Sequence, residues 1–329
     1  MSGVRRMRRG AAVLTAAGLL LTGCAASGSP AGETEAPGSG MLQPVIKANF
    51  PDPDVLEVDG RYYAYATNDN AKNVQFATSD DLEVWEVQGE DALPELPSWI
   101  VPGKTWAPEV SQVGDGFVMY FTASNFSPSV QCIGVATADT PEGPFEVAGE
   151  SMLVCPEEEG GAIDASTAVV DGHLHLVWKN DGNCCGLDTW LQAVPLTADG
   201  LALAGAPVRL IKQDLEWEGD LVEAPTILER DGQLVLLYSA NSYGDDRYAI
   251  GAATAPGLEG PWTKFDEPVL STTVADSRLL GPGGQDVVEG PDGDVLVFHG
   301  WDPAFSYRAM FTLPLEWDGA RPVPVLDGL

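Results

Sequence analysis

The sequence predicts an all-β fold, a five-bladed β-propeller, and three observations carry that expectation. An Asp-Gly pair recurs about every 56–61 residues, at Asp59-Gly60, Asp115-Gly116, Asp171-Gly172, Asp231-Gly232 and Asp292-Gly293. Each pair leads into a strand-like apolar run: Arg61–Thr67, Phe117–Ala123, His173–Lys179, Gln233–Ala240 and Asp294–Gly300. No stretch sustains a helical period, which argues against α/β and helical-repeat folds.

Each part of the repeat has a physical reason. Asp-Gly between apolar runs marks a tight hairpin, because two-residue turns need positive φ. A third strand follows in most units, at Val74–Ser79, Ile133–Ala138, Trp190–Pro195 and Ala249–Ala255. Closing phrases with Trp or Phe, such as Leu82–Val87, Gly143–Val147 and Gly260–Phe265, suggest a fourth. Trp85, Trp262 and Trp317 sit at those closing positions and read as packing residues. Repeats of roughly 40–60 residues with four short strands each are propeller blades.

The two ends and the composition bound the setting. Arg5, Arg6, Arg8 and Arg9 precede an apolar run from Ala11 to Leu21 that is short for a membrane span. The run ends in Leu21-Thr22-Gly23-Cys24, which resembles a bacterial lipobox with Cys24 as the lipid acceptor. Residues 1–23 are thus expected to be a lipoprotein signal peptide and 24–41 a flexible tether of small and polar residues. Residues 42–329 are left for the propeller, held outside the cytoplasm at the membrane by that anchor alone. The formal charge of −32, from 49 acidic and 17 basic residues, disfavours nucleic acid as a partner. Beyond Cys24 the cysteines are Cys132, Cys155, Cys184 and Cys185. In an exported chain they suggest disulfides, with three pairings open. A bridge between neighbours is strained, so Cys184 and Cys185 are expected to pair elsewhere. No cysteine–histidine spacing points to a metal, and His173 and His175 read as a strand face.

Counting back about seven to nine residues from each Asp-Gly glycine reaches Asp52, Glu109, Asp164, Glu223 and Gln285. The expectation is that all five start the innermost strand of a blade at one equivalent position. Converging acids repel one another and lose hydration, so a fold seldom keeps them without a use. They could cage calcium with oxygen ligands. Alternatively, one keeps its proton opposite an ionised partner, the asymmetry that glycoside hydrolysis needs. A solvated acidic rim without chemistry is the plain alternative.

Five segments, in order, resemble glycoside hydrolase family 43, the inverting arabinanases, β-xylosidases and α-L-arabinofuranosidases built on five-bladed propellers. Asn49-Phe50-Pro51-Asp52-Pro53 is similar to the segment that carries the general base, which implies that role for Asp52. Ala162-Ile163-Asp164-Ala165-Ser166 resembles the segment whose Asp tunes and orients the acid, and Val222-Glu223-Ala224-Pro225 the general-acid segment. Thr105-Trp106-Ala107-Pro108-Glu109 resembles the blade-two segment, where an aromatic lines the sugar pocket. Gly281-Pro282-Gly283 resembles the start of the blade-five segment, but Gly284 stands where the family usually has a His near a central ion or water. The resemblance therefore implies Asp52, Asp164 and Glu223 as catalytic. Trp106, Glu109, Gln285 and Arg308 are expected to contact substrate, and no cofactor is required. The structural calcium of the family is in question at Gly284. His299 reads as structural, and Asn180, Trp190 and Tyr243 fall in loops that border the pocket. The expected partner is carbohydrate, acted on by a monomer; a retaining fructan-type propeller hydrolase and a non-catalytic glycan-binding lipoprotein are the rivals.

Overall fold

A computed structural model describes residues 40–326, and the signal peptide, Cys24 and most of the tether lie outside them. Twenty strands form five four-stranded antiparallel sheets, each in sequential order. The first sheet is β1 (Asp54–Val58), β2 (Arg61–Ala66), β3 (Gln75–Ser79) and β4 (Glu86–Val87). The second is β5 (Ile100–Val113), β6 (Gly116–Asn125), β7 (Gln131–Ala138) and β8 (Glu146–Val147). The third is β9 (Ala162–Val170), β10 (His173–Asn180), β11 (Trp190–Pro195) and β12 (Val208–Lys212). The fourth is β13 (Val222–Arg230), β14 (Gln233–Ala240), β15 (Ala249–Ala255) and β16 (Thr263–Lys264). The fifth is β17 (Gly283–Gly290), β18 (Gly293–Trp301), β19 (Arg308–Asp318) and β20 (Arg321–Pro324). Each inner strand neighbours two others (β1 beside β5 and β17, β9 beside β5 and β13, β13 beside β17), so the five close a ring. The fold is a five-bladed β-propeller.

The second strands explain why the apolar runs are continuous. Successive side chains of a strand point to opposite faces, and here both faces are covered by neighbouring blades. On β6, Phe117, Met119 and Phe121 pack toward the first blade, while Val118 and Tyr120 pack toward the third. Five such apolar layers separate the five blades. Trp85, Trp262 and Trp317 pack half-buried against three of them, as their closing positions imply. The ring is closed by the chain before β1: the Val45 N–H donates to Met310 O, and the Phe50 N–H to Arg308 O, on the fifth blade.

The hairpins set the inner strands' register, and they correct one expectation. In blades one, three and four, Asp-Gly forms the two central turn residues, both at positive φ. In blades two and five those residues are Gly114-Asp115 and Pro291-Asp292, because Val113 pairs with Gly116 and Gly290 with Gly293. The glycine there begins the next strand, so counting back from it is one residue out.

Four inner strands also carry a bulge near their start, marked by a residue at positive φ: Ala107 (39°), Asp164 (54°), Ala224 (49°) and Gly284 (56°); Asp52 (55°), two residues ahead of β1, has the same conformation. The pairing shows the extra residue directly, for Trp106 faces Thr122 but Glu109 faces Tyr120. The same step separates Glu223 from Thr226 and Gly283 from Asp286. Bulges re-aim side chains beside functional sites. The five picked residues therefore do not share one position. Asp52 and Asp164 occupy the positive-φ position, Glu223 lies one residue before it, Gln285 one after and Glu109 two after.

The cysteine expectation is also corrected. Cys132 bonds Cys155 because Ile133 and Val154 pair as an antiparallel bridge, and Cys184 bonds its neighbour Cys185 in a 3₁₀ turn (Gly182–Cys185).

Candidate active site

The bulges stack the axial side chains in layers. Asp52 and Asp164 share one level, and Glu223 shares the preceding register position with Trp106, which is half-buried. Two residues beyond each positive-φ position lie Asp54, Glu109, Ser166, Thr226 and Asp286, a deeper ring around a cavity of about 40 Å³. Such a volume accommodates ordered water between polar walls.

Asp52 is held as an anion. Thr67 Oγ1 donates to its Oδ2 at 2.6 Å, and the Arg308 guanidinium lies 3.3 Å from Oδ1. Thr67 is itself fixed, because the Ala107 N–H donates to its hydroxyl at 2.9 Å. Burial alone would raise the Asp52 carboxyl, but the Arg308 charge, then the His299 contact and the Thr67 hydroxyl, outweigh it and hold the group well below the usual carboxylate range. His299 is fully buried, with Nδ1 3.0 Å from the Asp52 N–H and 3.2 Å from Asp52 Oδ1, and with Nε2 3.5 Å from the Arg308 guanidinium. Burial and the Arg308 charge both push it below the ordinary imidazole value.

The other two acids are shifted in the opposite direction. Burial, then the charge of Glu223, push Asp164 well above its ordinary value. Burial also raises Glu223, with Asp52 adding to the effect while Lys179 and Tyr248 oppose it. Tyr248 donates its hydroxyl to Glu223 Oε1 at 2.9 Å, and Lys179 Nζ lies 3.5 Å from Oε2. The Ala224 N–H, on the strand of Glu223, donates to Asp164 Oδ2 at 3.1 Å and ties the two acids together. One carboxyl held toward its anion thus faces two shifted toward the protonated form.

Two expected substrate contacts, Gln285 and Glu109, line the axial cavity and also bond to protein. Gln285 is buried and braces blades four and five: its Nε2 donates to Ala224 O at 2.6 Å, and its Oε1 accepts from Ser239 Oγ at 2.7 Å. Each end of its amide makes one bond to protein, and the residue also lines the axial cavity. Glu109 lies in the deeper ring, where its Oε1 accepts from the Thr167 N–H (2.9 Å) and Thr167 Oγ1 (2.6 Å). Arg308 is at the mouth, packed against Asp52 and under the ring of Tyr243 at 4.8 Å. Tyr243 is 54% exposed and Phe305 44%, so an aromatic rim stands beside Arg308. Asn180 braces its loop through Glu159 O, Asp188 O and the Trp190 N–H, and Trp190 lies against Arg209 at 4.9 Å.

The sequence reading did not select Lys179, Tyr248, Thr67, Asp54 or Asp286. Asp54 and Asp286 carried a signal, since each is an acid close after a selected residue, two beyond Asp52 and one beyond Gln285. Lys179 carried one too, as a lone cation ending an apolar run. Tyr248 precedes a third strand and carried none.

A side chain at residue 284 does not fit this arrangement. A Cβ on Gly284 would lie 2.6 Å from both Cε1 and Nδ1 of His299 and 2.9 Å from Asp52 Oδ1, so the His299 ring already fills that space. Among the described residues no group of three or more His, Cys, Asp or Glu is spaced to hold a metal.

The deeper ring makes stability depend on pH. Burial, then the Glu109 charge, push Asp286 up to about 7 from 3.8. A raised carboxyl contributes stability fully below its unfolded value and loses it as pH rises through the folded one. Asp286→Asn, which keeps an acceptor for the Val55 N–H, is therefore expected to lessen the fall in melting temperature between pH 4 and 7. Thermal unfolding across that range checks it, and an unchanged slope would refute it.

The comparisons with known proteins agree with this geometry. Residues 41–320 match the profile of Glycosyl hydrolases family 43. The chain is 28% identical to an extracellular exo-α-(1→5)-L-arabinofuranosidase of Streptomyces chartreusis, over 85% of this chain and 90% of that one. It is 27% identical to α-L-arabinofuranosidase 43 of Humicola insolens, over 75% of this chain but only 54% of the longer fungal protein. The crystal structure of a thermostable family-43 glycoside hydrolase superposes with a TM-score of 0.74 at 26% identity, covering 87% of this chain and 96% of that one.

Proposed function

The chain belongs to glycosyl hydrolase family 43, and from that premise we propose that it is an inverting hydrolase releasing α-L-arabinofuranosyl units from plant-type polysaccharides or oligosaccharides. The observation that carries the reading is the electrical asymmetry of the site: Asp52 paired with Arg308 and held toward its anion, against the linked Asp164 and Glu223, which burial shifts toward the protonated form. Asp52 removes a proton from water as that water attacks the anomeric carbon. Glu223 gives its proton to the departing glycosidic oxygen, and Asp164 keeps Glu223 oriented and protonated. The oxocarbenium-like charge of the transition state forms between them. No cofactor enters this scheme. Trp106 and the Tyr243–Arg308 corner are the surfaces for the sugar.

The arabinofuranosyl choice is supported by the Streptomyces relative, which matches nearly end to end. That relative is extracellular by name, and the proposed lipid on Cys24 would keep this chain outside the cytoplasm at the membrane. A product screen on arabinan, arabinoxylan, xylan and aryl glycosides tests the reading. Arabinose is expected, with the first anomer seen by proton NMR inverted to β. Xylose as sole product would overturn the sugar assignment, and a retained anomer the mechanism.

A further inference from the structure

Lys179 ends β10 with its side chain fully buried, the one lysine or arginine in that state among the described residues. Taking an ammonium out of water costs several kcal/mol unless oxygens meet it. Three do: Asn183 Oδ1 at 2.6 Å, Asp181 Oδ1 at 3.4 Å and Glu223 Oε2 at 3.5 Å. Asp181 and Asn183 belong to the β10–β11 loop, whose turn is closed by the Cys184 N–H donating to Asp181 O and by the Cys184–Cys185 bond. The charged and titratable groups around Glu223 are Asp52 ahead of β1, Asp164 on β9, Lys179 on β10 and Tyr248 before β15. Arg308 and His299 are turned to Asp52.

We propose that Lys179 is a positioning residue for Glu223: its ammonium fixes the Oε2 edge of the carboxyl and supplies the countercharge needed when Glu223 gives up its proton. The inference rests on reading Glu223 as the acid. When the proton passes to the leaving oxygen, a new anion forms beside Asp164 and Asp52. Lys179 attracts that anion more strongly than the neutral carboxyl, so it stabilises the transition state more than the ground state. Asn183, on the exposed loop, holds the ammonium in place.

The test is the pH dependence of kcat and kcat/KM in Lys179→Met and Asn183→Ala, with melting temperatures alongside. Without Lys179, Glu223 keeps its proton to higher pH but yields it less readily. Lys179→Met is therefore expected to lower kcat by about 10- to 100-fold with KM little changed, and to move the alkaline limb upward. Asn183→Ala, an exposed site that leaves folding intact, is expected to do the same by about 3- to 10-fold. A purely structural lysine would shift the melting temperature and leave the limb where it was. If both variants keep the parent's limb and kcat, or if Lys179→Met does not fold and Asn183→Ala keeps both, the proposal falls. Glu223→Gln separates that failure from failure of the acid assignment, because it stays inactive on arabinan when only the lysine role is wrong.

Discussion

Glu223→Gln is expected to fold as the parent does and to lose about 10³- to 10⁴-fold in turnover of arabinan. Glutamine keeps the volume, and its carbonyl can still accept from Tyr248, so the buried pocket stays filled. What it lacks is a proton to give. The size of the loss should depend on the leaving group. An arabinoside of a strongly acidic phenol departs as a stable anion without protonation, so its hydrolysis should fall only about tenfold. The pH profile gives a second readout. Burial raises Glu223 and Asp164, so the parent's active form persists as pH rises until that proton is lost, which sets the alkaline limb. In the glutamine variant, assayed on the activated substrate, that limb should disappear. Paired measurements of kcat/KM on arabinan and the activated glycoside check the expectation. Near-parent turnover of arabinan would remove Glu223 from the acid role.

The blades were legible because their cause is local. A turn that needs positive φ and a strand covered on both faces each leave a short-range mark, and five repetitions raise that mark above chance. The register of the axial side chains was not legible at single-residue precision. It depends on whether Asp-Gly fills the turn or ends it, and Gly114 and Pro291 decide that in blades two and five. It depends also on a bulge that no residue type announces, since Asp, Ala and Gly all occupy it. Resemblance reached Asp52, Asp164 and Glu223 because it reads segments rather than offsets. The groups that set their charge come from elsewhere: Arg308 and His299 from the last blade, Lys179 and Tyr248 from a second strand and a loop. Those contacts are consequences of ring closure and leave no spacing to find. The bonds of Gln285 to Ser239 and Ala224 leave no mark for the same reason, because those groups meet its amide only after blades four and five pack.

Asp52→Asn is expected to cost at least about 10⁴-fold, and equally on arabinan and on the activated arabinoside. A good leaving group can replace the acid, but nothing in the substrate can replace the base that activates water. The equal loss on both substrates therefore identifies Asp52 as firmly as the unequal loss identifies Glu223. The substitution suits the backbone, since asparagine tolerates the left-handed conformation at φ 55° as well as aspartate does. Its carbonyl can accept from Thr67 or Arg308, so folding is retained while the negative charge is gone. The sign of the pH effect follows from the same contacts. Arg308 holds the Asp52 carboxyl below its ordinary value of 3.8, so the base stays ionised as pH falls, and the parent should show no acidic limb in the ordinary carboxylate range. That pairing also contributes stability present above the unfolded value and lost as pH falls through the folded one. Asp52→Asn should lack this acid-side loss, and Arg308→Met should bring an acidic limb into view by letting Asp52 take a proton at higher pH. An acidic limb already present near pH 4–5 in the parent would show that Arg308 does not hold Asp52 as the geometry implies.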